Sequence, residues 1–265
     1  MKAVFKTHLT VGEDAIARNI AYAKTLDLPA ARHPGKWHQH PLAIIGSSPS
    51  VGRYVRELRG WPGDRWAVNT GFRWARENGI DCDFMTADPV GWDVSFIPDG
   101  TRVYLASYCD PSLFDATAGR CDVKVYEFAP GGVIPLSTSA GCAMTLGPMM
   151  GYRHVVMFGC ESSFADPGRS NIVGSEDHAG LMWIRCGHAS FLTSPGLLIQ
   201  AELMAAAICK FPGIYSERSG GLLGAMVENQ GDYHVAGCSA DLGVYLVKPS
   251  NISSGAHEGV PVFTL

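Results

Sequence analysis

Residues 42–50, Leu42-Ala43-Ile44-Ile45-Gly46-Ser47-Ser48-Pro49-Ser50, place four uninterrupted apolar residues before a turn of small residues and a proline. An apolar run bounded in this way reads as a strand covered on both faces, and Pro49 suits the first position of a following helix. Strand, tight turn and helix form the unit from which parallel sheets are built. The pattern continues with apolar segments at 66–68, 84–86, 103–106 and 123–126, and helical periodicity at 51–59 and 71–78. A helix is expected over 139–150, closed by Gly151, and a strand over 154–158, closed by Gly159. The expected fold class is therefore α/β, a Rossmann-like, mainly parallel sheet with helices on both faces.

Upstream, residues 1–40 read as an N-terminal helix and loop. Thr10 and Glu13 have the spacing of a capping box, and Ile16, Ile20 and Ala23 share a helical face. The loop 29–41 carries His33, His38 and His40 between prolines and a glycine, and reads as a solvated loop in preference to a metal cluster. Downstream, the polar stretch after Glu161 up to His178 has little periodicity and suits a flap. A strand pair is expected at 182–185 and 189–192. Ser194-Pro195 then opens a helix running to 210 that is apolar nearly all round, and so is buried in the domain or in a subunit contact. Residues 213–265 read as an irregular, glycine-rich cap with short strands at 232–235 and 243–247. The expected organisation is 1–40, a Rossmann-like domain over 41–212, and the cap over 213–265.

Composition limits the classes of function. Of 265 residues, 46% are hydrophobic and 17% charged, ample apolar material for a core. Apolar runs such as Val155-Val156-Met157-Phe158 are strand-length, far from the ~20 residues of a membrane span. No apolar signal segment opens the sequence, so a cytoplasmic location is expected. Eight cysteines without a C-x-x-C pair do not form a disulfide framework or a zinc finger. Cys160 is read as a buried small hydrophobe. Residues 1–80 carry 12 Lys/Arg against 6 Asp/Glu, and residues 81–265 carry 9 against 19. The basic third could help hold an anion, but without clustered basic residues a nucleic-acid backbone is not the expected ligand.

Chemistry is expected where strands end, because open parallel sheets bind ligands outside the carboxyl ends of their strands. Gly46 permits a tight turn and close backbone approach, while Ser47, Ser48 and Ser50 offer hydroxyls beside the amides that could receive a phosphate. The turn is neither a Walker A motif nor a G-x-G-x-x-G fingerprint. Asn69, Asp88 and Glu161 each follow a strand, so the three point to one crevice, although capping and turn formation are the simpler duties of Asn69 and Asp88. Ser137, Thr138, Ser139 and Gly141 open the next helix and supply a second set of amides and hydroxyls. His178, following Glu176 and Asp177, is a candidate base, with His188 in reserve. Trp92, Tyr108 and Phe164 are candidate stacking surfaces for a ring-shaped ligand.

These blocks, LAIIGSSPS at 42–50, Val68-Asn69-Thr70, Asp88-Pro89 and TSAGCAMTLGPMMGYRHVVMFGCE at 138–161, occur in the order seen in the MptE-like hydroxymethylpterin diphosphokinases. The chain also resembles their relatives, the motility-associated glycosyltransferases, and the layout of the small bacterial CMP-sialic acid sialyltransferases. The resemblance covers roughly residues 42–200. It implies a nucleoside phosphate held at residues 46–50 and 137–141, Asn69 near the sugar or base, and group transfer. Relatives carry Asp where this chain has Glu161.

Two transfers fit that pattern. In glycosyl transfer, favoured here and sialyltransferase-like, Ser48, Ser50 and the amides stabilise the departing nucleotide, and His178 and Glu161 form the catalytic pair. In diphosphoryl transfer from ATP, Mg²⁺ bridges phosphates, with Asp88 and Glu161 as its oxygen ligands. No cofactor is otherwise implied. The partners expected are a nucleotide-linked donor, a CMP-sugar or ATP, and a small-molecule or glycan acceptor, with no membrane and with a homo-oligomer compatible with the apolar 195–210 helix. A third reading is a nucleotide-binding module without turnover.

Overall fold

The computed structural model describes residues 2–4, 11–127, 138–164, 181–238 and 245–247. In chain order the elements are β1 (Lys2–Val4), α1 (Glu13–Thr25), β2 (Leu42–Ile45), a 3₁₀ helix (Pro49–Tyr54), α2 (Val55–Arg59), β3 (Asp64–Val68) and α3 (Thr70–Glu77). Then come β4 (Asp83–Thr86), β5 (Arg102–Ala106), α4 (Pro111–Thr117), β6 (Asp122–Tyr126), α5 (Ser139–Met149) and β7 (Val155–Phe158). The last are β8 (Met182–Cys186), β9 (Ala189–Thr193), α6 (Pro195–Lys210), β10 (Tyr215–Glu217), α7 (Gly221–Glu228), β11 (His234–Cys238) and β12 (Tyr245–Val247).

Seven strands form one parallel sheet in the order β10-β7-β2-β3-β4-β5-β6. All four residues of β2 are fully buried, which is why the run shows no polar alternation: parallel neighbours flank it and helices cover it. From β2 the chain steps outward through β3 to β6, and α5 then carries it back to β7 on the other side of β2. Right-handed crossovers taken in opposite directions put α3 and α5 on opposite faces. The direction reverses between β2 and β7, and there the crevice of such a sheet opens.

The α/β expectation holds, and the parallel sheet is its body. A smaller antiparallel sheet, β11-β8-β9, accompanies it, and β1 pairs with β12. Other local expectations change. Gly12 occupies the N-cap position of α1 without a side-chain cap, and Thr10 lies outside the described residues. The helix α4 was not expected; Asp110 caps it through the Ser112 amide at 2.9 Å, and Pro111 sits at its start. In place of an irregular start to the cap, β10 extends the main sheet beside β7, and α7 is a regular helix packed on α6. That packing and the core cluster take up the inner residues of α6, Leu198, Ala201, Met204, Ala205 and Ile208. Among the described residues, no helix is long and apolar enough to cross a membrane.

Candidate functional site

Successive loops at the carboxyl ends of the strands gather most of the residues singled out by sequence. The turn after β2 fits against the turn after β7. Gly46 N donates to the Phe158 carbonyl at 2.7 Å, and Ser48 N to the Gly159 carbonyl at 3.0 Å. A β-carbon on Gly46 would lie 2.2 Å from the Gly159 carbonyl oxygen. The close backbone approach that Gly46 permits is therefore made to this neighbouring turn of the protein.

Ser50 is buried. Its amide donates to Glu161 Oε1 at 2.6 Å and its hydroxyl to the Ser219 carbonyl at 3.0 Å. Val51 N returns to the Ser48 carbonyl. The amides of Gly46, Ser48, Ser50 and Val51 thus all donate to the protein itself, and Pro49 has none. The turn is therefore not a cradle of free amides; its side chains Ser47 and Ser48 are half-buried.

Glu161 is 8% exposed, and its surroundings explain its position. Leu223 N donates to its carbonyl, and Gly221, at φ +60°, leaves room for its side chain; a β-carbon there would lie 2.6 Å from Glu161 Cβ. Ser219 Oγ accepts from Cys160 N at 2.9 Å, and Gln200 Nε2 donates to Ser162 Oγ at 2.7 Å. Loops after β2, β7 and β10 are thereby knitted into one buried unit. Burial pushes the Cys160 thiol up to about 12, so the packing role expected for it fits.

Asn69 behaves differently. It follows β3 with φ +49° and ψ −128°, a backbone region that glycine occupies readily and other residues rarely. Its amide continues the ladder to the Met85 carbonyl, and its carbonyl accepts from Phe72 N at the head of α3. The side chain does not cap that helix, and Oδ1 is buried without a hydrogen-bond partner. The N-terminus of α3 presses on the end of β2, where a β-carbon on Gly71 would lie 2.8 Å from the Gly46 carbonyl. Asn69 therefore stands immediately beside the serine turn.

At the next strand end, Asp88 N donates to Thr86 Oγ1, and Asp88 Oδ1 accepts from Val90 N at 3.1 Å in a local turn. Burial moves the Asp88 carboxyl above the usual carboxylate range; the Val90 amide opposes that and Asp110 adds to it. The start of α5 crosses here. Thr138 Oγ1 accepts from Gly141 N, so Thr138 caps the helix, while Ser139 Oγ accepts from Ala87 N at 3.0 Å and fastens α5 to the end of β4. Tyr126 donates to the Thr86 carbonyl at 2.9 Å, and its burial keeps the phenol protonated. Asn19 of α1, 6% exposed, donates to the Pro89 and Tyr108 carbonyls, giving α1 a supporting role.

The proposed Mg²⁺ pair does not come together. Glu161 follows β7 and Asp88 follows β4, with β2 and β3 between them, a separation of about 14 Å at the strand spacing of such sheets. Each carboxylate is also turned to a backbone amide of its own neighbourhood. These two residues do not fit one divalent ion. His178 and Ser137 lie outside the described residues. His188 occupies the turn between β8 and β9 and is exposed, not packed within the strand pair. Phe164 is a core residue bridged to Leu192, and Trp92 packs on Phe84 and Phe96. Ser219 and Gln200 escaped the sequence reading, because neither follows a recognisable apolar strand run.

A solved structure has the same architecture. A MAf glycosyltransferase from Magnetospirillum magneticum AMB-1 superposes with a TM-score of 0.59 at 17% identity, over 81% of this chain. The two share a fold. This chain spans 38% of that protein's chain. No protein-family model matches the sequence, and no curated protein matches it.

Proposed function

We propose that this chain is a glycosyltransferase-type transferase whose nucleotide-linked donor lies in the crevice at the carboxyl ends of β2 and β3. The observation that carries the reading is Asn69, strained in its backbone and holding a buried, unpartnered Oδ1 beside the serine turn. Backbone strain of this kind costs about 1–3 kcal/mol and persists where the surrounding structure enforces it, which is typical of ligand sites. A buried amide oxygen without a donor costs further free energy, which an amino or hydroxyl group of a nucleoside would recover. The shared fold with a glycosyltransferase supports the same reading.

In this proposal Ser48 meets the donor's phosphate through its hydroxyl, Thr138 and Ser139 hold the start of α5 against the crevice, and Asn69 reads the sugar or base. Glu161 acts as a positioning residue by fixing Ser50. His178 takes the proton of the acceptor hydroxyl as it attacks the donor's anomeric carbon, and the nucleotide leaves with the bonding electrons. A CMP-sugar is one donor that the sequence resemblance offers for this transfer.

The test is thermal melting of the chain with CMP, UDP, GDP and ATP, each with and without Mg²⁺, since a ligand that binds only the native state raises its melting temperature. One nucleotide raising the melting temperature of the native chain, with the shift lost in Asn69→Ala, is the expected result. Flat traces for all four, or a shift that survives Asn69→Ala, would remove the reading.

A further inference from the structure

At the opposite end of the sheet, where strands begin, a second group of chemistry-bearing side chains comes together. Asp64 opens β3, Tyr152 precedes β7, and His38 and His40 lie in the segment leading to β2. One ligand atom each from His38, His40 and Asp64 falls within 4.8 Å of the others. His40 Nδ1 is 3.7 Å from Asp64 Oδ2, too far for a hydrogen bond, and that nitrogen is buried without any partner. The charge pair alone does not satisfy it.

We propose that His38, His40 and Asp64 form a binding site for a divalent transition metal of the zinc type. Two imidazoles and a carboxylate are a common three-ligand set for such ions and a poor one for Mg²⁺ or Ca²⁺, which select oxygen. Ligand atoms around tetrahedral zinc stand about 3.3–3.6 Å apart, given bonds of about 2.0–2.2 Å. The 3.7 Å contact already approaches that spacing, and all three ligand atoms lie within 4.8 Å of one another.

The surrounding contacts resemble those that orient metal ligands elsewhere. Tyr152 donates its hydroxyl proton to Asp64 Oδ2, which fixes the carboxylate. The same ring stacks on His38 with centroids 4.0 Å apart and planes 6° from parallel, which fixes that imidazole. The backbone is held as well, by His38 N donating to the Gly151 carbonyl at 2.8 Å. His40 and Asp64 side chains are 41% and 39% exposed, so an ion enters without unfolding. A bound ion would pin the histidine segment to the starts of β3 and β7. It would stand at the far end of the sheet from the proposed donor crevice, so the inference is independent of the transferase reading.

The experiment uses the full chain stripped of metal by chelator and titrated with Co²⁺, then Zn²⁺, with Mg²⁺ as the control. One equivalent of Co²⁺ is expected to give a ligand-field spectrum without a thiolate charge-transfer band, and Zn²⁺ is expected to displace it and raise the melting temperature. His38→Gln and His40→Gln are each expected to weaken Zn²⁺ binding by at least about tenfold, with melting in chelator unchanged. A thiolate band, undiminished binding in the His38→Gln/His40→Gln double variant, or no saturable Zn²⁺ binding would each overturn the proposal. The wild-type spectrum decides the matter even if a variant fails to fold.

Discussion

Glu161 Oε1 accepts a 2.6 Å hydrogen bond from the amide of Ser50, which lies 111 residues earlier in the chain. A carboxylate of the protein thus stands at the head of the 3₁₀ helix that follows β2 and accepts from an amide of its first turn that has no partner within the helix. It joins the turns on either side of the topological switch.

Removing that carboxylate strands a buried amide. Glu161→Ala is expected to lower unfolding free energy by about 1–3 kcal/mol, and Glu161→Gln, which keeps an acceptor, by less. Urea denaturation measures both. Equal losses in the two variants would show that the Ser50 contact contributes nothing.

Asn69 should show stability and ligand binding moving in opposite directions. Asn69→Gly relieves the positive φ and removes the unpartnered oxygen, so the free chain is expected to gain about 1 kcal/mol. The same variant is expected to lose the melting shift given by the nucleotide. Calorimetry with and without the nucleotide checks both halves, and a less stable free chain would contradict the strain argument.

Asp83 couples stability to pH. It is 22% exposed and pairs with Arg102 at 3.2 Å, yet burial, aided by Asp64 and Asp81, pushes its carboxyl up to about 6. In the unfolded chain the same group releases its proton near pH 4. Between those values the native state binds more protons, so this group's contribution to stability declines as pH rises from about 4 through about 6. Asp83→Asn, which mimics the protonated acid, is expected to be more stable than wild type at pH 7 by up to about 3 kcal/mol. The change in that advantage should be complete below about pH 4. Denaturation series from pH 3.5 to 7.5 in chelator provide the comparison; a difference that does not vary with pH would refute the assignment.

Thiol reactivity should follow burial. Cys82 and Cys160 are buried, and desolvation pushes each up to about 12, while Cys209 is exposed. Iodoacetamide at pH 8 is expected to modify Cys209 in the native chain and to reach Cys82 and Cys160 only after denaturation. Peptide mass spectrometry reads the sites, and native labelling of Cys160 would contradict the packing of the turns around β7.

The parallel sheet was legible in the sequence because its strands are buried on both faces and their turns carry small residues. Leu42–Ile45 shows this most plainly, with four apolar residues and then Gly46. The small residue at Gly46 reads as room for a close approach, expected from a phosphate, but no local pattern says what approaches. The answer, the Gly159 carbonyl, depends on β7 being placed beside β2 although four other strands of the sheet lie between them in the chain. β10 escaped for a related reason: three residues at a sheet edge, with Ser216 facing outward, leave no apolar run to read.

By itself, then, the sequence determined the strands β2 to β9, the helices α1, α2, α3, α5 and α6, and which end of the sheet carries small polar residues, because periodicity and turn chemistry are local properties of the chain; α4, α7 and β10 were not legible in it. The tertiary structure alone decided the pairings: Glu161 with Ser50, Asp88 kept apart from Glu161, Ser139 with Ala87, and His38 and His40 with Asp64. Those relationships follow from strand order. Strand order is set by how the apolar faces pack together, and no short window of sequence contains that information.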